Sequence, residues 1–344
     1  MLPSPGQNRG DGTLKFHVYD MPPLLTIENL QVHFDTEEGV VRAVEDVSFT
    51  VSAGKTLGIV GESGCGKSVT CHSALGLIPP NGRIVGGSVM FDGKDLLEQT
   101  PEQLDHIRGS QIAMVFQDPM SSLNPIHTIG TQIIESLVLH RGMRGFEARA
   151  EALRLLDIVG IPESVRRFKE YPHQLSGGMN QRAMIALALA CRPKILIADE
   201  PTTALDVTIQ AQILDLLRTL QGEFGMAIIL ITHDLGVIAE MANEVVVMYA
   251  GRIVEQAHVK DLFYSPAHPY TRGLLDSLPR LDQSIEQLTP IEGSVPSPYE
   301  VMPGCAFEPR CRFADELCQK TVPLLHTVKR EHFAACHHPQ GAAP

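Results

Sequence analysis

Long apolar runs are missing from this 344-residue sequence. Stretches such as Met226–Ile231 and Val245–Tyr249 fall far short of the ~18–20 residues a membrane-spanning helix needs, so the chain is not expected to cross a bilayer. Excess positive charge is missing too. Against 40 Asp and Glu stand 28 Lys and Arg, a formal net charge of −12, which argues against a nucleic-acid partner. Met1–Asp20 has no apolar core of the export-signal kind; its Pro, Gly, Asn and Asp suggest a disordered leader and a cytosolic chain. In that compartment the seven cysteines are expected to be reduced, buried or metal-bound rather than paired. Tryptophan, internal repeats and low-complexity tracts are absent as well. The 44% apolar and 20% charged content is nonetheless ordinary for a globular chain, which excludes wholesale disorder and collagen-like or coiled-coil architecture. The length suits two domains, or one large domain with an appendage.

What is present is ordered along the chain. Leu24–Ile27 and Leu30–Phe34 have the pattern of opening strands, followed by Val41–Thr50 and Thr56–Val60. Gly82–Phe91 resembles a hairpin turning at Gly86-Gly87 and closed by Asp92-Gly93. From about Leu96 to Gly160 the pattern is helical, with Leu153, Leu156 and Val159 on one face and a stop at Gly160. Ile195–Ala198, Ala227–Thr232 and Val245–Tyr249 are short unbroken apolar runs of the buried-strand kind. Between the first two, Ile209, Ile213, Leu216, Leu217 and Leu220 form a helix stripe expected to end at Gly222. Strands alternating with amphipathic helices predict an α/β domain around a largely parallel sheet. Beyond about Asp261, repeated prolines change the texture and suggest a boundary. The expected divisions are a leader over 1–23, a main domain over 24–260 with a helical subdomain at about 96–184, and an extension over 261–344.

Gly61-Glu62-Ser63-Gly64-Cys65-Gly66-Lys67-Ser68 lies between the apolar run Leu57–Val60 and the helical pattern opening at Val69, the context a phosphate-binding loop requires. Glycines let backbone N–H groups curl round an anion, and the helix N-terminus adds its positive dipole. Lys67 can reach outer phosphates and Ser68 offers a hydroxyl to Mg²⁺, whereas Cys65 is expected only to fill space. Asp199, at the end of Ile195–Ala198, is placed to hold that Mg²⁺, and Glu200 to polarise an attacking water. Gln117 follows a short apolar run and can contact Mg²⁺ or water. His233 ends another strand, within reach of a γ-phosphate. Ser176-Gly177-Gly178 opens a second helix, giving one chain a second anion cradle, best used on a nucleotide held by another subunit.

The order of Gly61–Ser68, Gln117, Leu175–Gly178, Asp199-Glu200, Ala204–Asp206 and His233 resembles the ATP-binding cassette (ABC) ATPases over about residues 24–260. The resemblance implies a P-loop NTPase core with a RecA-like parallel sheet, an antiparallel β subdomain and a helical subdomain. It implies that Gly61 to Val69 bind ATP, with Lys67 and Ser68 on its phosphates and Mg²⁺, that Gln117 reports on the nucleotide to the membrane partner, and that Glu200 is the general base. His233 would sense the γ-phosphate, Asp206 would link two subunits, and Ser176, Gly177, Gly178 and Gln181 would meet the partner's nucleotide. Phe34 is the aromatic best placed to stack on adenine. Asn180 stands where Arg or Ser is expected, with little consequence.

The tail is similar to the C-terminal extension of oligopeptide/dipeptide importer ATPases, through His268–Leu275, Ile291–Gly293, Gly304-Cys305 and Pro309–Cys311. That implies a peripheral motor at the cytoplasmic face of the inner membrane. Its partners would be a second, related ATPase subunit, two transmembrane permeases and an extracytoplasmic binding protein. The segment Ile126–Leu139 is a candidate surface for gripping the permeases. Cargo other than peptides (nickel, glutathione, a peptide antibiotic) fits the same motor; a soluble, non-transport ABC ATPase is the alternative from another class. Cys305, Cys311, Cys318 and Cys336 follow C-x5-C-x6-C-x17-C. Four thiolates in a short segment can hold a [4Fe–4S] cluster or zinc, and the lack of close C-x2-C pairs favours iron–sulfur. His337 and His338 are alternative ligands; free thiols in a small packed subdomain are the other possibility.

Overall fold

Leu25, Ile27, Leu30 and Val32 point into one core and are no more than 2% exposed, while Glu28 and Asn29 between them face solvent. In a computed structural model describing residues 22–203, 205–278 and 291–340, this alternation builds one long strand where two were expected. Nearly all of the leader, and prolines 279 and 290, lie outside the described residues. The first elements are β1 (Leu25–Thr36), β2 (Gly39–Val51), β3 (Thr56–Val60), α1 (Lys67–Ala74), β4 (Gly82–Phe91) and β5 (Lys94–Asp95). All of these strands except β3 form an antiparallel sheet in the order β2-β1-β4-β5.

The hairpin expected inside 82–91 is absent; β4 runs straight through. Gly87 has a positive φ of 96°, and a Cβ there would stand 2.6 Å from the Cα of Leu30. This glycine lets two strands approach at an irregular register rather than turning the chain. The turn falls instead at Asp92-Gly93, between β4 and β5.

The stretch from Leu96 onwards is helical as expected but interrupted. It contains α2 (Pro101–Ile107), then β6 (Ile112–Val115), α3 (Pro119–Ser122), α4 (Ile129–Arg141), α5 (Gly145–Ile158), α6 (Ser164–Arg167) and α7 (Gly177–Leu189). Four apolar-rich residues are too few to show a period, so β6 was hidden among helices. There follow β7 (Ile195–Asp199), α8 (Val207–Phe224), β8 (Ala227–Ile231), α9 (Leu235–Met241), β9 (Glu244–Tyr249) and β10 (Arg252–His258). Helix α8 outlasts Gly222 and is capped at Gly225, which takes the left-handed conformation (φ 65°).

The last elements are α10 (Val259–Tyr264), α11 (Pro269–Asp276), α12 (Glu316–Lys320), β11 (His326–Lys329) and β12 (His332–Ala334). The second sheet has eight strands in the order β11-β12-β10-β9-β3-β8-β7-β6. Its β9-β3-β8-β7-β6 portion is parallel, and every residue of β3, β7 and β8 is buried, as a sheet covered on both faces requires. Strands β11 and β12 extend the same sheet, so the proline-rich extension is built onto the main domain's framework. Glu255 of β10 ties them together: fully buried, it accepts from the backbone N–H groups of Ala267 (2.7 Å) and His268 (2.8 Å) and pairs with His332 (2.7 Å). Among the described residues no helix is long and apolar enough to cross a membrane.

Candidate active site

The carboxyl ends of β3, β7 and β8 lie side by side, and each delivers one group of candidate residues to the same edge. After β3 the chain turns through Gly61 (φ 151°), Gly64 (φ 79°) and Gly66 (φ 101°) into α1. A Cβ on Gly61 would meet the Met248 carbonyl oxygen at 2.2 Å and one on Gly66 that of Ala43 at 2.4 Å, so both positions demand glycine. Lys67 is buried, its Nζ donating to the carbonyls of Gly61 (2.8 Å) and Glu62 (3.0 Å). Cys65 is buried beneath the loop, and burial pushes its thiol up, in keeping with a space-filling role. Ser63 and Gly64 line a cleft shared with Arg42 and Ala43 of β2 and with Pro296 and Pro298 of the extension.

Ser68 Oγ donates to Asp199 Oδ1 at 2.9 Å across 131 residues of sequence. Asp199 is 4% exposed, and burial raises its carboxyl above the ordinary aspartate range despite that hydrogen bond. Two hard oxygen donors meeting on a little-exposed carboxylate suit a small dication, so the pair fits Mg²⁺. His72 Nε2 stands 3.7 Å from Asp199 Oδ2, and burial lowers its imidazole. Next in the chain, Glu200 holds the left-handed conformation (φ 47°), a sparsely populated region for a side-chain-bearing residue. Its Oε2 accepts from Gln117 Nε2 (2.9 Å) and Thr203 Oγ1 (2.8 Å); its Oε1 lies 3.3 Å from His233 Nδ1. Thus Ser68, Gln117, Asp199, Glu200 and His233 converge. Thr203 and His72 were not singled out from the sequence, where no signal distinguished them.

Ser176, Gly177 and Gly178 are elsewhere. Ser176 caps α7, accepting from Met179 N–H at 3.4 Å, and Gly177 faces open space. These three line a cleft with Arg182 and with Asp206, the residue that caps α8. Gln181 lies apart from that cleft: it is 2% exposed within α7, and its amide nitrogen has no partner among the described residues. Asn180, also buried, donates to the Pro172 carbonyl (2.9 Å). Phe34 packs its ring against Gly82, whose Cβ, if present, would be 2.7 Å away.

In the extension, Cys305, Cys311, Cys318 and Cys336 line one pocket together with His337 and His338. Burial raises all four thiols, that of Cys336 to about 11. Among the described residues the compact trio of donor atoms, within 4.8 Å of one another, is Asp315, Cys318 and His338 rather than three sulfurs.

A parallel sheet with a phosphate loop and a carboxylate pair at its carboxyl edge defines a P-loop nucleoside-triphosphatase. The chain matches the family model described as ABC transporter over residues 44–203, and that of the oligopeptide/dipeptide transporter C-terminal region over 254–318. It is 53% identical over 316 residues to the oligopeptide transport ATP-binding protein OppD of Haemophilus influenzae, covering 92% of this chain and 97% of that one. With the Escherichia coli protein of the same name it shares 52% over 301 residues, covering 88% and 89%. Among solved structures it resembles the dimeric post-hydrolysis state of the ATP-binding cassette MJ0796 bound to ADP and Pi. That likeness has a TM-score of 0.62 at 30% identity and covers 68% of this chain and 98% of that one. The chain belongs to the ABC transporter ATPases, in their oligopeptide/dipeptide transporter family.

Proposed function

We propose that this chain is the ATP-hydrolysing motor of a membrane importer for di- and oligopeptides, seated at the cytoplasmic face of the inner membrane. One observation carries the reading. The loop before α1 and the Ser176-Gly177-Gly178 start of α7 open on different clefts of one molecule. A second copy, or a related chain, turned head to tail would bring each loop opposite the other's signature residues. ATP held between them favours the closed pair because its γ-phosphate touches both faces only when they meet.

Within that clamp the loop N–H groups and Lys67 bind phosphates, which requires Lys67 to leave the carbonyls of Gly61 and Glu62. Ser68 and Asp199, with Gln117, would hold Mg²⁺, which when bound neutralises phosphate charge. Glu200 orients a water and takes its proton, with Gln117, Thr203 and His233 fixing the carboxylate beforehand. Asp206 links the subunits, and Phe34 is the adenine platform. Met120, Ile126 and Leu139 support a permease-docking face, being 48%, 76% and 74% exposed despite their apolar side chains. Two permeases and an extracytoplasmic binding protein would complete the assembly.

We assign the four tail cysteines to a [4Fe–4S] cluster rather than zinc because they share one pocket while, among the described residues, no three of their sulfurs lie within 4.8 Å of one another. A tetrahedral Zn²⁺ with ligands at ~2.3 Å would draw its sulfurs within about 4 Å of one another, whereas a cubane spreads its thiolates wider. The compact Asp315–Cys318–His338 trio already has another use, since Asp315 caps α12 and pairs with His338 at 2.9 Å. Purifying the assembled complex and measuring peptide-stimulated ATP hydrolysis tests the whole reading; co-purification with nucleic acid instead of membrane subunits would overturn it.

A further inference from the structure

Glu62, second in the phosphate loop, is gripped from the extension at both its backbone and its side chain. Its N–H donates to the Tyr270 hydroxyl at 2.9 Å. Its carboxylate receives both arms of Arg310, Nη1 to Oε2 at 2.8 Å and Nη2 to Oε1 at 3.0 Å. Neither group is loosely placed. Tyr270 has no exposure, packing its ring against Tyr249 and Phe307. Arg310 is 5% exposed and also donates to the carbonyls of Ile291 and Glu292 and to the Tyr249 hydroxyl. Its bond with Glu62 spans 248 residues of sequence.

We propose that Tyr270 and Arg310 are positioning residues for ATP, holding the phosphate loop in its binding shape. The inference rests on the ATPase reading above and adds a role for the extension in it. A loop that binds anions through backbone N–H groups gains affinity when those groups are aimed before the ligand arrives. The glycines at 61, 64 and 66 give this loop conformational freedom that must be lost on binding, and its internal brace, Lys67 on the carbonyls of Gly61 and Glu62, is released when Lys67 turns to phosphate. Glu62 lies among them and is the residue whose position the extension dictates. A bidentate guanidinium–carboxylate pair also fixes orientation, which a lone ammonium cannot do. The upstream anchor is equally specific. His268 Nδ1 accepts the Tyr270 N–H at 3.0 Å, and the His268 N–H is itself held by Glu255 of the core sheet. A continuous chain of bonds therefore runs from β10 through the start of α11 to the loop.

The test is equilibrium binding of ATP with Mg²⁺ to the full chain, scoring dissociation constant and number of sites separately. A folding defect removes sites; a loosened loop weakens every site. Tyr270→Phe deletes one oxygen and Glu62→Gln removes one charge, so both preserve shape. Each is expected to weaken ATP binding about 5-fold at unchanged stoichiometry, and Arg310→Met about 10-fold, with Arg310→Lys intermediate. The Glu62→Gln/Arg310→Met double variant is expected to be no weaker than the worse single one, since they break the same contact. In hydrolysis the loss should appear in KM for ATP rather than in kcat. Wild-type affinity in Tyr270→Phe and Glu62→Gln would overturn the inference, as would loss of sites without loss of affinity; these two variants decide even if Arg310→Met fails to fold. If the wild-type chain binds no ATP, the ATPase reading itself falls.

Discussion

Gln117 and Glu200 lie 83 residues apart in sequence, yet the amide of the first donates to the carboxylate of the second at 2.9 Å. Gln117 follows β6, an edge strand, and leads towards the apolar-faced helical region, while Glu200 follows β7 at the phosphate edge. A movement of one is therefore felt by the other. Glu200→Gln is expected to retain ATP binding, to lower kcat by about 100-fold or more, and to accumulate a closed dimer. Steady-state hydrolysis and size-exclusion chromatography with ATP check this; normal turnover would remove Glu200 from the role of base.

Lys67 supplies a buried cation within the loop itself. Lys67→Ala should abolish hydrolysis and weaken ATP binding strongly without unfolding the chain. Untouched hydrolysis in this variant, or full-speed hydrolysis by strictly monomeric protein, would contradict the two-chain clamp.

Asp199 presents a trade between stability and function. Burial raises its folded pKa above the ordinary 3.8, so folding favours the neutral acid. That favour is complete at pH below the unfolded value and is lost as pH rises through the folded one, leaving a buried charge at neutral pH as a cost. Asp199→Asn is accordingly expected to raise the Tm of the nucleotide-free protein at pH 7 while removing Mg²⁺-dependent turnover. A lowered Tm would show that the carboxylate is better solvated than its burial suggests.

His268 has the opposite sign. Burial drives its imidazole down to about 4, so the neutral ring is the native form. Its contribution is complete above the unfolded value near 6.5, and stability is lost as pH falls from there towards about 4, where protonation takes away the acceptor of the Tyr270 N–H. Thermal melts across that window should show this acid limb, and His268→Asn, an acceptor that does not titrate, should flatten it.

The tail sulfurs offer a colour test. Anaerobically purified protein is expected to be brown, with iron and sulfide near four each per chain, the complement of a [4Fe–4S] cluster. Cys318→Ser should bleach it. Colourless protein carrying one tightly held zinc would favour the other metal.

Much of the site was legible because its parts are short, contiguous and tied to strand ends. Gly61–Ser68 carries its own glycines, lysine and hydroxyl, and the apolar runs before Asp199 and His233 announce buried strands ending in polar groups. What escaped depends on distance or on ambiguity. Arg310 meets Glu62 only after the chain has crossed the whole fold, and no local pattern reports that. The Gly86-Gly87 pair signals a bend or a close approach equally well, and only the neighbouring strand β1 decides that it is a close approach. Gly222 signals a stop in the sequence, yet α8 runs through it, since glycine inside a helix costs only ~1 kcal/mol when packing continues on either side. Gln181 follows Gly178 and Gly177 by three and four residues, a spacing that shares one helix face, and its burial depends on what packs over that face, which no local pattern reports.

Glu255 carries one more lesson. Among the described residues its three hydrogen-bond partners, Ala267, His268 and His332, come from chain beyond β10. Trimming the protein back to a minimal motor would strand a polar side chain in a dry interior and expose the flank of β10. Nucleotide engine and tail are thus expected to melt in a single cooperative transition, and a shortened version would be a damaged machine rather than a simpler one.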